Sequence, residues 1–294
     1  MSDTTPWSAS DAAPLLLPPD ARDHKYSRGV LGLRTGSPTY PGAAVLGAEA
    51  AWRTGIGLVQ FVPQIDASAP PFGLPTPAAA VLTARPETVI SPADRKLTAW
   101  LIGSGTDPAE RSPSETAALR EILAGERSVV ADAGALELAA RTRLSAPPQA
   151  PLALTPHAGE FAALWRALDR PQPTDDAEAA TELATALTCT VMLKGSVTLV
   201  AAPDGSLLRV GPATPWLATA GTGDVLAGIL GALTARHATR ITTTGRQFAE
   251  LAATAALLHD AAARLAAGPS PQGRPITARD VADHLPAAIE RLTA

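Results

Sequence analysis

Three segments of the chain carry residues whose types and spacing could do chemistry. The first is Leu217-Ala218-Thr219-Ala220-Gly221-Thr222-Gly223-Asp224-Val225-Leu226-Ala227-Gly228. Gly221, Thr222 and Gly223 stand where a loop enters a helix with an apolar stripe of Val225, Leu226, Ile229, Leu230 and Leu233. The first turn of a helix has backbone N–H groups without intrahelical acceptors, at the positive end of the dipole, so it attracts anions. Glycine lets the backbone come close to a phosphate. A carboxylate just inside the helix, Asp224, faces the same pocket. It could take a proton from a substrate hydroxyl while negative charge grows nearby. Taken alone, the pattern also fits a glycine-rich turn in which Asp224 only complements the dipole.

The second segment is Leu154-Thr155-Pro156-His157-Ala158-Gly159-Glu160-Phe161. A strand ends at Leu154, and ligands of open α/β sheets gather beyond the carboxyl ends of strands. His157 and Glu160 are three apart, on one face of the helix that starts there. A surface cap would look the same. The third is Val191-Met192-Leu193-Lys194-Gly195-Ser196-Val197-Thr198. Lysine is scarce, at Lys25, Lys96 and Lys194 alone. One placed at a buried strand's end beside glycine could meet a phosphate, and it could equally be a solvated strand end. Two weaker signals are Gly103-Ser104-Gly105 after a strand and Tyr40-Pro41-Gly42-Ala43-Ala44 opening a helix. Neither completes a dinucleotide fingerprint.

Positioning these residues requires alternating strands and helices. Val30–Leu33 reads as a strand, 43–52 as a helix with Pro41 in its first turn, and 58–62 as the next strand. That unit calls for a right-handed crossover and a parallel sheet. Strands are expected again at 100–103, 128–132, 152–154 and 190–193, with helices at 114–123, 158–168 and 175–187. Residues 198–201 and 207–210 flank Pro203-Asp204-Gly205 and read as a hairpin. Helices at 224–233, 248–266 and 277–292 close the chain, the last opening on a capping-box pattern. The expected fold is α/β, a mostly parallel sheet with helices on both faces. Residues 1–22 read as a flexible N-terminal arm and 23–294 as one domain.

The net charge of −4 argues against a nucleic-acid partner. No apolar run reaches the roughly 18 residues of a membrane span, and no targeting signature precedes Asp20. Cys189, the one cysteine, lies in an apolar stretch, which fits a buried thiol in a reducing compartment. A cytoplasmic location is therefore expected. The alanine-rich helix around 252–266 suggests close helix packing and a homo-oligomer.

Taken in order, the segments resemble the ADP-dependent NAD(P)H-hydrate dehydratase family of the ribokinase-like superfamily. The likeness runs from His24-Lys25-Tyr26-Ser27-Arg28-Gly29 to the last helix. It rests on Tyr40-Pro41-Gly42-Ala43, the 51–59 segment, Gly103-Ser104-Gly105, Asp132-Ala133, Thr155–Glu160, Lys194-Gly195 and Gly221–Asp224. The resemblance implies a lyase that repairs hydrated NADH and NADPH. The ring hydroxyl of the S form would be phosphorylated at the expense of ADP, and phosphate would then leave, giving NAD(P)H, AMP and phosphate. Asp224 would be the base. Lys194, Gly195, Ser196, Val197, Thr198 and Gly223 would hold the AMP portion, with Gly221, Thr222 and Gly223 on the transferring phosphoryl group. Ala43, Gly105, His157 and Asp224 would line the dinucleotide, and Glu160 would help hold Mg²⁺. A tetramer and a separate epimerase acting upstream are further implications.

Two positions depart from the family pattern: Ser104 stands where proline is usual, and Gly134 where a second aspartate is usual. Any role of that acid therefore cannot be carried over. The alternative reading is a ribokinase-like ATP-dependent small-molecule kinase, which would use the same base and anion site.

Overall fold

The computed structural model describes residues 4–92, 96–145 and 150–294. The chain starts with a short strand, β1 (Thr4–Pro6), and one turn of helix, α1 (Ala9–Ala12). A first crossover follows through β2 (Val30–Arg34), α2 (Pro41–Arg53) and β3 (Leu58–Phe61). Next come α3 (Pro77–Ala84), β4 (Val89–Ile90), β5 (Ala99–Ile102) and α4 (Pro113–Ala124). Then follow β6 (Ser128–Ala131), α5 (Leu136–Ser145), β7 (Leu152–Leu154), α6 (Ala158–Ala167) and α7 (Asp176–Leu187). Strands β8 (Thr190–Leu193), β9 (Thr198–Ala201) and β10 (Leu207–Val210) lead to α8 (Thr222–Arg236), α9 (Gln247–Ala267) and α10 (Ala278–Thr293).

The strands form one sheet in the order β1-β10-β9-β8-β7-β6-β5-β2-β3-β4. Neighbours from β8 through β4 are parallel, whereas β8, β9 and β10 pair antiparallel. The central strands are buried on both faces and read as apolar runs without alternation. One face packs on α2, α8, α9 and α10, the other on α4 to α7. The expected mostly parallel sheet with two covered faces is therefore present.

Local signals explain most boundaries. Ser112 and Asp175 accept the Glu115 and Glu178 N–H groups at 3.0 and 2.9 Å, capping α4 and α7. Thr277 and Asp280 close the expected capping box of α10. Helix α3 went unread because proline dominates its approach, although Thr76 caps it and Pro77 opens it. Helix α5, β4 and the N-terminal elements were not anticipated either.

The reading of the first twenty-two residues as a flexible arm needs correction. Thr4–Pro6 pairs in parallel with Leu207–Arg209, extending the sheet. Ala12, Leu15 and Leu16 are buried in the main core, and Trp7 Nε1 donates to Thr254 Oγ1 at 3.1 Å. Burial of Leu15 and Leu16 adds to the strand pairing in holding the segment down. Met1–Asp3 lie outside the described residues. The alanines of α9 also proved to be internal: Ala252, Ala253, Ala255, Ala262, Ala263 and Ala266 are all buried within this one chain. That face therefore gives no support to an oligomer contact.

Strand order reverses between β5 and β2, the place where open α/β sheets form a crevice. The Gly36 N–H donates to the Ser104 carbonyl at 2.7 Å, tying the two departing loops together.

Candidate active site

Four adjacent strands deliver residues just past their carboxyl ends to one point. Ser104, Asp132, Thr155 and Lys194 follow β5, β6, β7 and β8. The Lys194 N–H donates to the Pro156 carbonyl at 2.8 Å, setting the side chain across the sheet. Its Nζ reaches Asp132 Oδ1 at 2.9 Å. Thr155 Oγ1 donates to the same oxygen at 2.7 Å, and Ser104 Oγ to Oδ2 at 2.8 Å. Burial works against the Asp132 carboxylate, but the Lys194 charge and these donors outweigh it and hold the pKa below the usual range. Burial likewise disfavours the Lys194 ammonium, while Asp132 and Glu160 keep its pKa above the ordinary value. The pair is charged and its acceptors are filled.

Asp224 is placed differently. It lies in the first turn of α8, whose N-cap Gly221 is left-handed at φ +86. That backbone conformation is what requires glycine; a Cβ there would also press on the tip of the Leu46 side chain at 2.6 Å. The Thr222 hydroxyl donates back to the Leu217 and Thr219 carbonyls, both at 2.9 Å, which fixes the turn. Among the described residues no group donates a hydrogen bond to the Asp224 carboxylate. Burial first, and the Asp132 charge second, push its pKa up to about 6, against the pull of Lys194. An unpaired carboxylate with that pKa, beside free helix N–H groups, is suited to take a proton near neutrality.

Lys194 connects the two regions. A Cβ built on Gly223 would lie 3.9 Å from its Nζ, so the ammonium stands over the turn. Gly195, Ser196 and Val197 form the bend from β8 to β9, where Thr198 begins. The Ser196 carbonyl accepts the Ala213 N–H at 2.7 Å, tying this bend to the loop that leads to α8.

His157 is the exposed N-cap of α6: its Nδ1 accepts the Gly159 and Glu160 N–H groups at 3.0 and 3.3 Å. Glu160 Oε2 accepts the His157 N–H at 2.8 Å and lies 3.9 Å from Lys194 Nζ. Ala43 and Gly105 touch one another: any Cβ on Gly105 would collide with the Ala43 methyl. A cleft of about 530 Å³ opens here, lined by Tyr40, Gly105, Thr106, Asp107, Ala133 and Glu160. Asp224 and His157 are not among its walls, and Glu160 reaches toward Asp224 only through Lys194. The structure thus gathers Lys194, Gly223, Asp224 and Glu160, with Gly105 on the adjoining cleft wall and Ala43 packed behind it.

Sequence reasoning gave no site role to Asp132, Ser104 or Thr155. The signal was an acidic residue ending a strand. The two family departures also find a place. Ser104 donates to Asp132, and a Cβ at Gly134 would collide with the Thr106 carbonyl, so this backbone admits no second aspartate.

With that geometry in place, residues 31–286 match the sequence model of the NAD(P)H-hydrate dehydratase family. The chain belongs to the NAD(P)H-hydrate dehydratase family. It is 35% identical over 258 residues to the ADP-dependent (S)-NAD(P)H-hydrate dehydratase of Xanthomonas campestris, covering 80% of this chain and 85% of that one. It is 40% identical over 238 residues to the bifunctional NAD(P)H-hydrate repair enzyme Nnr of Mycobacterium tuberculosis, covering 80% of this chain and 46% of that protein. The chain spans about half the length of such bifunctional relatives. Among solved structures it resembles the ADP/ATP-dependent NAD(P)H-hydrate dehydratase of Bacillus subtilis co-crystallized with ATP/Mg²⁺. The TM-score is 0.79 at 25% identity, over 99% of this chain and 100% of that one. The ribokinase-like fold implied by the sequence resemblance is thereby shown.

Proposed function

We propose that this chain dehydrates the S form of hydrated NADH and NADPH, with ADP as phosphoryl donor. The observation that carries the reading is the unpaired Asp224 carboxylate, with a pKa near 6, beside the free N–H groups of α8. Asp224 takes the proton of the ring hydroxyl as its oxygen attacks the terminal phosphorus of ADP, and AMP leaves. The Gly221 to Gly223 amides neutralise charge on the transferring group, and Lys194 supports them from across the turn. The ring carbon–oxygen bond then breaks, phosphate departs, and a proton leaves the adjoining ring carbon. Hydroxide is a poor leaving group and phosphate a good one, which is why the donor is consumed.

In this reading Lys194 to Thr198 and Gly223 hold AMP, while Ala43, Gly105 and His157 line the dinucleotide. Among the described residues no group of three or more metal-ligating side chains is present. Mg²⁺ is commonly held by one or two carboxylates together with substrate phosphates, and Glu160 fits that pattern. Only its Oε2 is engaged by the helix cap, and the residue lines the cleft. The ion would neutralise phosphate charge there. In this scheme the chain acts in the cytoplasm and as a homotetramer, with an epimerase upstream supplying the S form. Among the described residues no helix is long and apolar enough to cross a membrane.

The test is to incubate the protein with hydrated NADH, Mg²⁺ and ADP, following the reduced-nicotinamide absorbance. Recovery of NADH with stoichiometric AMP is expected. No recovery with ADP or ATP, alongside rapid phosphorylation of a small alcohol, would replace the reading with a kinase.

A further inference from the structure

Helix α9 grips the loop between β10 and α8 at two backbone points. Arg264 Nη2 donates to the Pro212 carbonyl at 2.8 Å, and Asp260 Oδ1 accepts the Thr214 N–H at 2.7 Å. The two side chains also bind each other, Arg264 Nε to Asp260 Oδ2 at 2.8 Å, so they act as one fork. The adjacent His259 is only 6% exposed. Its ring lies at the Thr222 backbone, close enough for that group to raise its pKa, and within the field of Lys194, but Nε2 lacks a hydrogen bond of full geometry. Burial keeps this imidazole neutral, with a pKa near 4.

A structural account of α9 does not need that histidine. Its neighbours on the buried face are alanine and leucine, and buried Thr254 is satisfied by the Glu250 carbonyl at 2.8 Å. An apolar side chain at 259 would fill the space without leaving a ring nitrogen unsatisfied, an arrangement that proteins rarely keep. The gripped loop matters because its ends are the two elements assigned to the nucleotide. Ala213 is bonded to the Lys194–Thr198 bend, and Thr222 lies within the anion-binding turn.

We propose that His259, Asp260 and Arg264 are positioning residues for the nucleotide: the Asp260–Arg264 fork sets the Pro212–Thr214 end of the loop, and His259 completes a hydrogen bond to the Thr222 backbone when a bound phosphate seats the first turn of α8. The proposal rests on the nucleotide lying at that turn, as in the reading above. It requires no contact between α9 and the reacting atoms.

The experiment measures Mg²⁺–ADP affinity by calorimetry and steady-state kinetics on His259→Leu, His259→Gln, Asp260→Asn and Arg264→Gln, with melting curves for each. Arg264 is half exposed, so its variant keeps the assay informative should a buried substitution prevent folding. Affinity and KM for ADP should worsen roughly threefold to tenfold in the Leu and Asn variants, the loss of about one hydrogen bond. The kcat and the KM for the hydrated dinucleotide should stay within about twofold, and His259→Gln should recover part of the affinity. Unchanged ADP affinity with lowered melting temperatures, or equal losses for both substrates, would overturn the proposal. ADP binding without dehydration would remove the activity reading while leaving the positioning comparison intact. A wild-type protein that binds neither ADP nor ATP would overturn both.

Discussion

Asp132 and Asp224 stand at the same rim of the sheet, each within the field of Lys194, and their surroundings treat them in opposite ways. Asp132 is buried at the end of β6 with both oxygens filled by Ser104, Thr155 and Lys194, and its pKa is depressed. Asp224 is partly buried at the start of α8, lacks a hydrogen-bond donor among the described residues, and has its pKa pushed up to about 6. A satisfied carboxylate cannot readily accept a further proton, so Asp132 is architecture and an electrostatic source. An unsatisfied one near neutrality is poised to react. The negative charge of the first is also part of what raises the pKa of the second.

The largest expected effect is on Asp224. Asp224→Asn keeps the shape of the turn but cannot take a proton, and turnover should fall about 10²- to 10⁴-fold. Affinity for ADP should hold within a few-fold, since the glycine amides remain. Single-turnover rates and calorimetry on one preparation check this, and near-normal turnover would end the assignment as base. The same variant reports on stability. The folded pKa, about 6, lies above the ordinary 3.8, so the native state binds the proton more tightly than the unfolded chain. Stability from this group is therefore complete below pH 3.8 and lost as pH rises to about 6. Above that, Asp224→Asn should be the more stable protein, by at most about 3 kcal/mol, with the advantage vanishing in acid. A melting difference independent of pH would contradict the raised pKa.

Asp132→Asn should act mainly on folding. It leaves the Lys194 ammonium buried without its partner, a defect that costs about 3–5 kcal/mol in comparable buried pairs. In whatever fraction folds, the acid limb of the rate profile should move below pH 6, because one negative neighbour of Asp224 is gone. An unmoved limb would break the electrostatic link between the two aspartates.

The smallest effect is at His157. His157→Ala removes the N-cap of α6, costing about 1 kcal/mol. His157→Ser restores the cap without the ring. If the histidine lines the dinucleotide, the serine variant should melt normally while its KM for hydrated NADH stays raised. Recovery of both would make the residue a cap alone.

Much of this was legible in the chain. The βαβ periodicity, the hairpin around Pro203-Asp204-Gly205, the entry of Gly221 into a helix and the buried state of Cys189 all follow from local pattern. The thiol pKa, pushed up to about 12 by burial, fits an inert structural cysteine. The ordered N-terminus was not legible, because Thr4–Pro6 is held by a partner strand some 200 residues away and carries no propensity of its own. The oligomer reading from alanine-rich α9 failed to find support for a related reason: small residues announce close packing but not against what.

The sequence by itself determined which residues could react, since Gly-x-Gly-Asp at a helix start and Lys-Gly at a strand end are properties of a few adjacent positions. It also determined the class of fold, because the alternation of apolar runs and helical stripes admits few arrangements. Only the tertiary structure decided which acid is quiet and which is available. Ser104, Asp132, Thr155 and Lys194 are 28, 23 and 39 positions apart in succession, and they meet only because parallel strands in register bring their carboxyl ends to one rim. Burial and charge at that rim then set the two carboxylates apart, and neither quantity exists until the chain has folded.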